Sequence, residues 1–83
     1  MGWIVYLLRC RDGSLYTGIT TDLARRVRAH ASGRASRYTR SRLPVRVVHT
    51  EPAATRSAAL VREAAIKKLP RRAKLALVRG ARH

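Results

Sequence analysis

The stretch IVYLLRCRDGSLYTGI, residues 4–19, predicts two apolar strands joined by an Asp-Gly turn. The continuous apolar run over residues 3–10 is typical of a strand that is covered on both faces. The second strand is predicted over residues 15–20. Each strand contains a tyrosine, Tyr6 and Tyr16. Because a buried hairpin does not require phenolic hydroxyls, these two residues are either packing residues or part of a chemical site.

The length of the turn decides whether the two tyrosines share a face of the sheet. A two-residue Asp-Gly turn would place Tyr6 and Tyr16 on opposite faces, since faces alternate along a strand. A three-residue loop over residues 11–13, with Gly13 in the left-handed conformation, pairs Tyr6 with Gly18 instead. Both tyrosines then share one face, and Gly18 leaves space over Tyr6. Only this register builds one site from both hydroxyls, so we expect the three-residue loop, with both tyrosines on the face that Arg26 and Glu63 approach.

The remainder of the chain predicts one further strand and three helices. Asp22 is a good N-cap for a helix over residues 23–32, and Gly33 is a natural stop. Residues 34–44 are predicted to form a basic loop with room for one helical turn. A strand over residues 45–50 follows and is ended by Glu-Pro. Two helices, over residues 56–69 and 71–79, are separated by a proline. The order ββαβαα predicts an α+β fold with a small, largely antiparallel three-stranded sheet. We expect residues 1–83 to form a single domain.

The charge balance favours a polyanionic partner. The chain has 19 Lys and Arg against four Asp and Glu, a net charge of +15, and nucleic acid is the partner that such a balance usually indicates. The alternative is that the charge serves solubility or reflects a bias toward Arg and Ala codons. Within the basic loop, the residues expected to bind nucleic acid are Arg34, Arg37, Tyr38, Arg40 and Arg42, with Arg25 on the preceding helix. Tyr38 either stacks on a base or packs against the protein.

Cysteine usage and the N-terminal apolar run bear on the compartment. Cys10 is the only cysteine, so an internal disulfide is impossible, and its place in an apolar strand predicts a core residue. The apolar run over residues 3–8 is too short to span a bilayer and follows no positive segment. We therefore expect a cytoplasmic protein that associates with the nucleoid through DNA, without a membrane.

A helical wheel divides the charged residues of the first helix. Its predicted buried stripe consists of Leu23, Val27 and Ala31. Arg26 and His30 lie on the edge of this stripe, whereas Arg25 points away from it. Arg26 therefore either extends its charge into solvent along the core or enters a site at the sheet. His30 is either a packed or capping histidine or a member of that site.

One carboxylate remains without an evident structural role. Glu63, on the predicted second helix, borders an apolar stripe with Ala59 and Ile66 and stands four residues before Lys67. An i,i+4 ion pair with Lys67 would account for it as a surface residue. The other three acids are assigned to a turn, a helix cap and a strand end, in the order Asp12, Asp22 and Glu51. If a divalent metal binds, Glu63 is the best-placed ligand.

The ordered set of these residues resembles the GIY-YIG nuclease superfamily. The set comprises Tyr6, Tyr16, Arg26 and Glu63. More narrowly, "YLLRCRDGSLYTGITTDLARRVRAH" and "REAAIKKL" are similar to the small stand-alone bacterial proteins that consist of this domain, over residues 3–78. The motif departs from the family name, with Ile-Val-Tyr and Tyr-Thr-Gly. The chain also has no Asn, whereas many members carry one late in the domain.

The resemblance implies a metal-dependent phosphodiesterase and assigns roles to five residues. Tyr16 would be the general base or would orient the attacking water, with Tyr6 beside it. Arg26 would bind and stabilise the attacked phosphate, and His30 would assist. Glu63 would hold one Mg²⁺ or Mn²⁺. Positive charge and an activated water are what phosphodiester hydrolysis requires.

The implied substrate is DNA, with RNA not excluded, and the implied process is DNA repair or processing. A separate protein partner would supply specificity, because the sequence shows no attached targeting module. The main alternative is a non-catalytic nucleic-acid-binding module that retains the fold. A structural protein packed on RNA is a third possibility, but it explains neither Tyr16 nor Glu63.

Overall fold

The computed structural model describes residues 2–80 and has an α+β architecture. Its elements in chain order are β1 (Trp3–Arg9), β2 (Leu15–Thr20), α1 (Leu23–Ala31), α2 (Arg37–Arg40), β3 (Arg46–Ala53), α3 (Arg56–Lys67) and α4 (Arg71–Gly80). The predicted fold class and element order are confirmed. The single turn α2 occupies the basic loop, in which the sequence left room for one helical turn.

The turn between β1 and β2 is the predicted three-residue loop. The Cys10 N–H donates to the Ser14 carbonyl at 2.9 Å, and the Gly13 N–H donates to the Cys10 carbonyl at 2.9 Å. Gly13 has a φ of 84°, in the left-handed region that glycine adopts without steric cost. Cys10 is buried, as its place in an apolar strand predicted.

This turn sets the register that brings the two tyrosines to one face. Tyr6 lies opposite Gly18, and Leu8 lies opposite Tyr16. Because opposed residues share a face and faces alternate, Tyr6 and Tyr16 point to the same side of the sheet. The rings confirm this, with centroids 6.5 Å apart.

The third strand is longer than the sequence indicated. The sheet has the order β2-β1-β3, and both pairings are antiparallel. We expected Glu51 and Pro52 to end the strand, but pairing continues until Ala53 lies opposite Trp3. The expectation was wrong because β3 is an edge strand, where a proline can direct its missing donor away from the ladder.

The two faces of the sheet carry different kinds of residue. Val5 and Leu7 pack with Ala59 and Ile66 of α3, and all four are fully buried. The partly buried residues around this cluster are Trp3, Leu15, Ile19, Val48, Ala53 and Leu77. Since Tyr6 alternates with Val5 and Leu7, α3 covers the face opposite to the tyrosines. The tyrosine face is covered by α1 and α2, through the hydrogen bonds described below.

Helix α1 has the predicted ends but a different buried side. The Asp22 side chain accepts from the Arg25 N–H at 3.1 Å, and Gly33, with a φ of 79°, terminates the helix. In the predicted stripe, however, Ala31 is exposed, whereas His30 is fully buried. A wheel based on apolarity misplaced the buried side because hydrogen bonds hold the His30 ring in the interior.

Helix α4 is tied to the hairpin turn. The Arg71 guanidinium donates to the Gly13 carbonyl at 2.9 Å, so the last described helix rests against the β1–β2 loop. Across residues 2–80, we find no helix with the length and apolarity that a membrane crossing requires.

Candidate active site

A chain of three buried polar side chains lies on the tyrosine face. The Tyr6 hydroxyl and the His30 Nε2 are 2.9 Å apart. The other ring nitrogen of His30, Nδ1, lies 2.8 Å from the Thr39 Oγ1. His30 and Thr39 are fully buried and Tyr6 is 1% exposed. One residue from each of β1, α1 and α2 is thus joined in a line beneath the surface.

Tyr16 lies beside this chain and is more accessible. Its ring centroid is 5.1 Å from that of His30, in an edge-on arrangement. On another side, the Tyr38 ring lies 6.0 Å away at an angle of 31°. Tyr16 is only partly buried. Of the two tyrosines, it is therefore the one that can meet a water molecule or a substrate.

The electrostatic surroundings keep Tyr6 and His30 in their neutral forms. Burial, with a smaller contribution from the charge of Tyr16, raises the pKa of Tyr6 to about 12. The charge of Arg26 lowers this pKa and the charge of Glu63 raises it, so both groups lie within electrostatic reach of the phenol. Burial also lowers the pKa of His30, and the Arg26 charge lowers it further.

Gly18 is required by the position of Tyr6. A Cβ at residue 18 would lie 2.5 Å from the Tyr6 hydroxyl oxygen and 2.6 Å from its Cζ. These separations are far below ordinary van der Waals contact. The space that the sequence predicted over Tyr6 is therefore filled by the phenol ring itself.

Arg25 and Arg26 differ less in position than the helical wheel predicted. Both are exposed, and both line a cavity of about 280 Å³ at the N-terminal end of α1. Thr20 and Asp22 also line this cavity. Arg25 is exposed, as its predicted position away from the buried stripe requires, and it borders the same cavity as Arg26 because both lie in the first turn of α1. Of the two arginines, only Arg26 lowers the pKa values of Tyr6 and His30.

Glu63 comes from the helix on the opposite face of the sheet. It lies on α3 between the buried Ala59 and Ile66, and its side chain is 19% exposed. The predicted pair with Lys67 forms, at a long 3.7 Å. The sequence led us to expect an approach from the tyrosine face, whereas α3 packs on the other face. Its charge nevertheless raises the pKa of Tyr6.

With this geometry established, comparison with known proteins assigns the family. A family model described as the GIY-YIG catalytic domain matches residues 2–76. The chain belongs to this family. A UPF0213 protein of Desulfotalea psychrophila is 51% identical over 79 residues, covering 94% of this chain and 72% of the relative. One from Haloquadratum walsbyi is 56% identical over 70 residues, covering 84% and 79%.

Two solved structures share the GIY-YIG chain's fold. A solution NMR structure of a UPF0213 protein from Bacillus halodurans has a TM-score of 0.60 at 47% identity, covering 94% of this chain and 83% of that one. A second, of a protein from E. faecalis, has a TM-score of 0.67 at 42% identity, covering 99% and 88%. The family assignment supports a nuclease fold, and the relatives' names specify no activity.

The donor set of this GIY-YIG site fits a divalent ion held by one carboxylate. The other three acids are engaged: Asp12 with Ser14 and Arg42, Asp22 as the cap of α1, and Glu51 with Arg62 and His49. By contrast, the Glu63 carboxylate is only partly buried, and its contact with Lys67 is long, at 3.7 Å. Mg²⁺ commonly takes one or two carboxylates and completes its shell with water and phosphate oxygens. No group of three or more His, Cys, Asp or Glu gathers within residues 2–80.

The basic loop of the domain contains both free and engaged arginines. Arg34, Arg37 and Arg40 are exposed, as a role in binding nucleic acid requires. Arg42 is partly buried: its guanidinium carbon lies 3.9 Å from the centre of the Tyr38 ring, and its Nε donates to Asp12 at 3.1 Å. Tyr38 is 37% exposed. Tyr38 therefore packs against Arg42 and Tyr16, which was one of the two alternatives for this residue, while part of its ring stays open to solvent.

Sequence reasoning missed two features of the molecule. Thr39 is buried against His30, although it lies in a short polar segment that carries no apolar pattern. Glu51 accepts two hydrogen bonds from Arg62, at 2.7 and 3.0 Å, instead of marking a strand end. Neither partnership has a local signal, because each joins residues from separate elements.

Proposed function

We propose that the protein is a metal-dependent endonuclease that hydrolyses phosphodiester bonds in DNA. The observation that carries this proposal is the hydrogen bond between Tyr6 and His30, with Tyr16 against the same histidine and Arg26 within electrostatic reach. A buried packing cluster would not need a phenol, an imidazole and a nearby guanidinium. The family assignment supports the same class of reaction.

The two tyrosines have different tasks in this proposal. Tyr16, which is partly exposed, orients the attacking water through its hydroxyl. Tyr6, whose pKa is raised to about 12, stays protonated at neutral pH and holds the site together through His30. Arg26 is exposed beside them, where its guanidinium can bind the attacked phosphate and stabilise the negative charge that develops on it.

Glu63 is the proposed ligand of one Mg²⁺ or Mn²⁺. When bound, such an ion polarises the phosphate and lowers the pKa of a coordinated water. The Glu63 carboxylate is suited to this role because it is partly buried and its contact with Lys67 is long.

DNA is the proposed substrate because of the net charge and the exposed arginines near the site. The charge of +15 attracts the phosphate backbone, and Arg34, Arg37 and Arg40 present theirs to solvent. RNA is the second substrate to test. We also propose a role in DNA repair or processing, with a separate protein supplying specificity; the match to the GIY-YIG catalytic domain supports the nuclease part of this proposal.

The test is a panel of labelled DNA and RNA structures incubated with Mg²⁺ or Mn²⁺. We expect cleavage by the natural chain, dependence on the metal, and loss of cleavage in Glu63→Ala. Lys67→Ala is the matched control, because it removes the same ion pair without removing the proposed ligand. Salt-dependent binding without cleavage of any substrate would instead favour the alternative, a binding module that retains the fold.

A further inference from the structure

We propose that Thr39 is a positioning residue that fixes the tautomer of His30, so that the imidazole Nε2 accepts the phenolic proton of Tyr6. The inference rests on the proposed nuclease function for its catalytic consequence. The tautomer itself is inferred from the hydrogen-bond distances of Tyr6, His30 and Thr39, with no catalytic argument.

We assign the single hydroxyl proton of Thr39 to the carbonyl oxygen of Ser36. The Thr39 Oγ1 lies 3.4 Å from the Ser36 carbonyl oxygen, which can only accept a hydrogen bond. Ser36 is held in place because its side chain caps α2, accepting from the Tyr38 N–H at 3.1 Å. The Thr39 oxygen therefore turns a lone pair toward His30.

That lone pair determines which nitrogen of His30 carries the proton. The Nδ1 of His30 lies 2.8 Å from the Thr39 oxygen, and with the Thr39 proton on Ser36 it is Nδ1 that donates. The same assignment leaves Nε2, at 2.9 Å, as the acceptor for the proton of the buried Tyr6 hydroxyl. Full burial favours the neutral imidazole, which has one proton only. Nε2 is therefore unprotonated, and the hydrogen bond of 2.9 Å to Tyr6 is donated by the phenol.

The tautomer decides what Tyr6 presents to the site. With the proton on Nδ1, the Tyr6 O–H points inward to His30 and the oxygen lone pairs remain for other partners. With the proton on Nε2, His30 would donate to the Tyr6 oxygen, and the phenolic proton would have to turn elsewhere. Tyr16, whose ring centroid lies 6.5 Å from that of Tyr6, would then face a different pattern of donors.

Side-chain ¹⁵N NMR of the histidines provides the direct test, independent of catalysis. In the natural chain we expect the His30 ring to be protonated on Nδ1. Thr39→Ser, which keeps the hydroxyl, should preserve that pattern. Thr39→Val, which keeps the shape but removes the acceptor, should move the proton to Nε2. An Nε2 proton in the natural chain, or no change in Thr39→Val, would overturn the inference.

Cleavage assays with the same variants test the consequence. We expect Thr39→Val to cleave about 10- to 100-fold more slowly, as when a working histidine loses its orienting partner, and Thr39→Ser to recover most of the rate. A changed tautomer with an unchanged rate would refute the positioning role. If the natural chain cleaves nothing, the proposed function fails, and the NMR measurement alone decides the tautomer. Should Thr39→Val not fold, the natural chain and Thr39→Ser still give that measurement.

Discussion

Replacement of Gly18 by alanine tests the central packing contact of the site. The new Cβ would lie 2.5 Å from the Tyr6 hydroxyl oxygen and 2.6 Å from Cζ, whereas non-bonded carbon atoms prefer about 3.5–4.0 Å. The ring must move by about 1 Å. Tyr6 is 1% exposed and bonded to His30 at 2.9 Å, so this movement has no free space and breaks the hydrogen bond.

The cost can be built from three contributions. Overpacking a core costs about 1–3 kcal/mol, and the lost hydrogen bond about 1 kcal/mol. Removing a glycine from the unfolded chain returns about 0.4–1 kcal/mol. We therefore expect the free energy of unfolding of Gly18→Ala to fall by about 1–4 kcal/mol. With a urea m-value of about 1 kcal/mol/M for a small domain, the unfolding midpoint should drop by about 1–4 M.

The assay is urea unfolding followed by circular dichroism, with two further variants. Gly80→Ala makes the same chemical change where no atom lies within 4 Å, and its midpoint should not fall. Tyr6→Phe removes the nearest atom, so adding Gly18→Ala to it should cost less than in the natural chain. An unchanged midpoint for Gly18→Ala would refute the argument that the Tyr6 ring fills this space.

Three further predictions concern activity, pH and salt. Arg26→Ala should abolish cleavage while folding persists, and Arg25→Ala should mainly weaken DNA binding; equal effects on turnover would contradict the separate role of Arg26. Hydrogen bonds from Arg62 and His49 lower the pKa of Glu51 from 4.5 to about 2. Their contribution to stability, at most about 3 kcal/mol, is present above pH 4.5 and lost as the pH falls toward 2, so acid unfolding of Glu51→Gln should show a weaker pH dependence in that window. With about 5–8 phosphate contacts, the logarithm of the DNA association constant should fall with the logarithm of salt at a slope of roughly −4 to −7; a slope near zero would remove nucleic acid as the partner.

The sequence by itself determined the hairpin and the ends of α1, and it narrowed the register to two, of which the three-residue turn was chosen because it alone places both tyrosines in one site. These features depend on interactions within a few residues. Side-chain direction has a period of two along a strand, so the length of one turn places Tyr6 and Tyr16 on one face. Asp22 and Gly33 act on backbone groups next to them, as a cap and as a left-handed terminator.

Only the tertiary structure decided what is buried around the site and where the last strand ends. Apolarity placed Ala31 in the core, but His30 is buried instead because Tyr6 and Thr39 satisfy both of its ring nitrogens. Strand β3 continues to Ala53 because β1 offers Trp3 as a partner, which no local pattern reveals. In each case the deciding partner comes from a distant segment, and burial of a polar group becomes favourable only when that partner is in place.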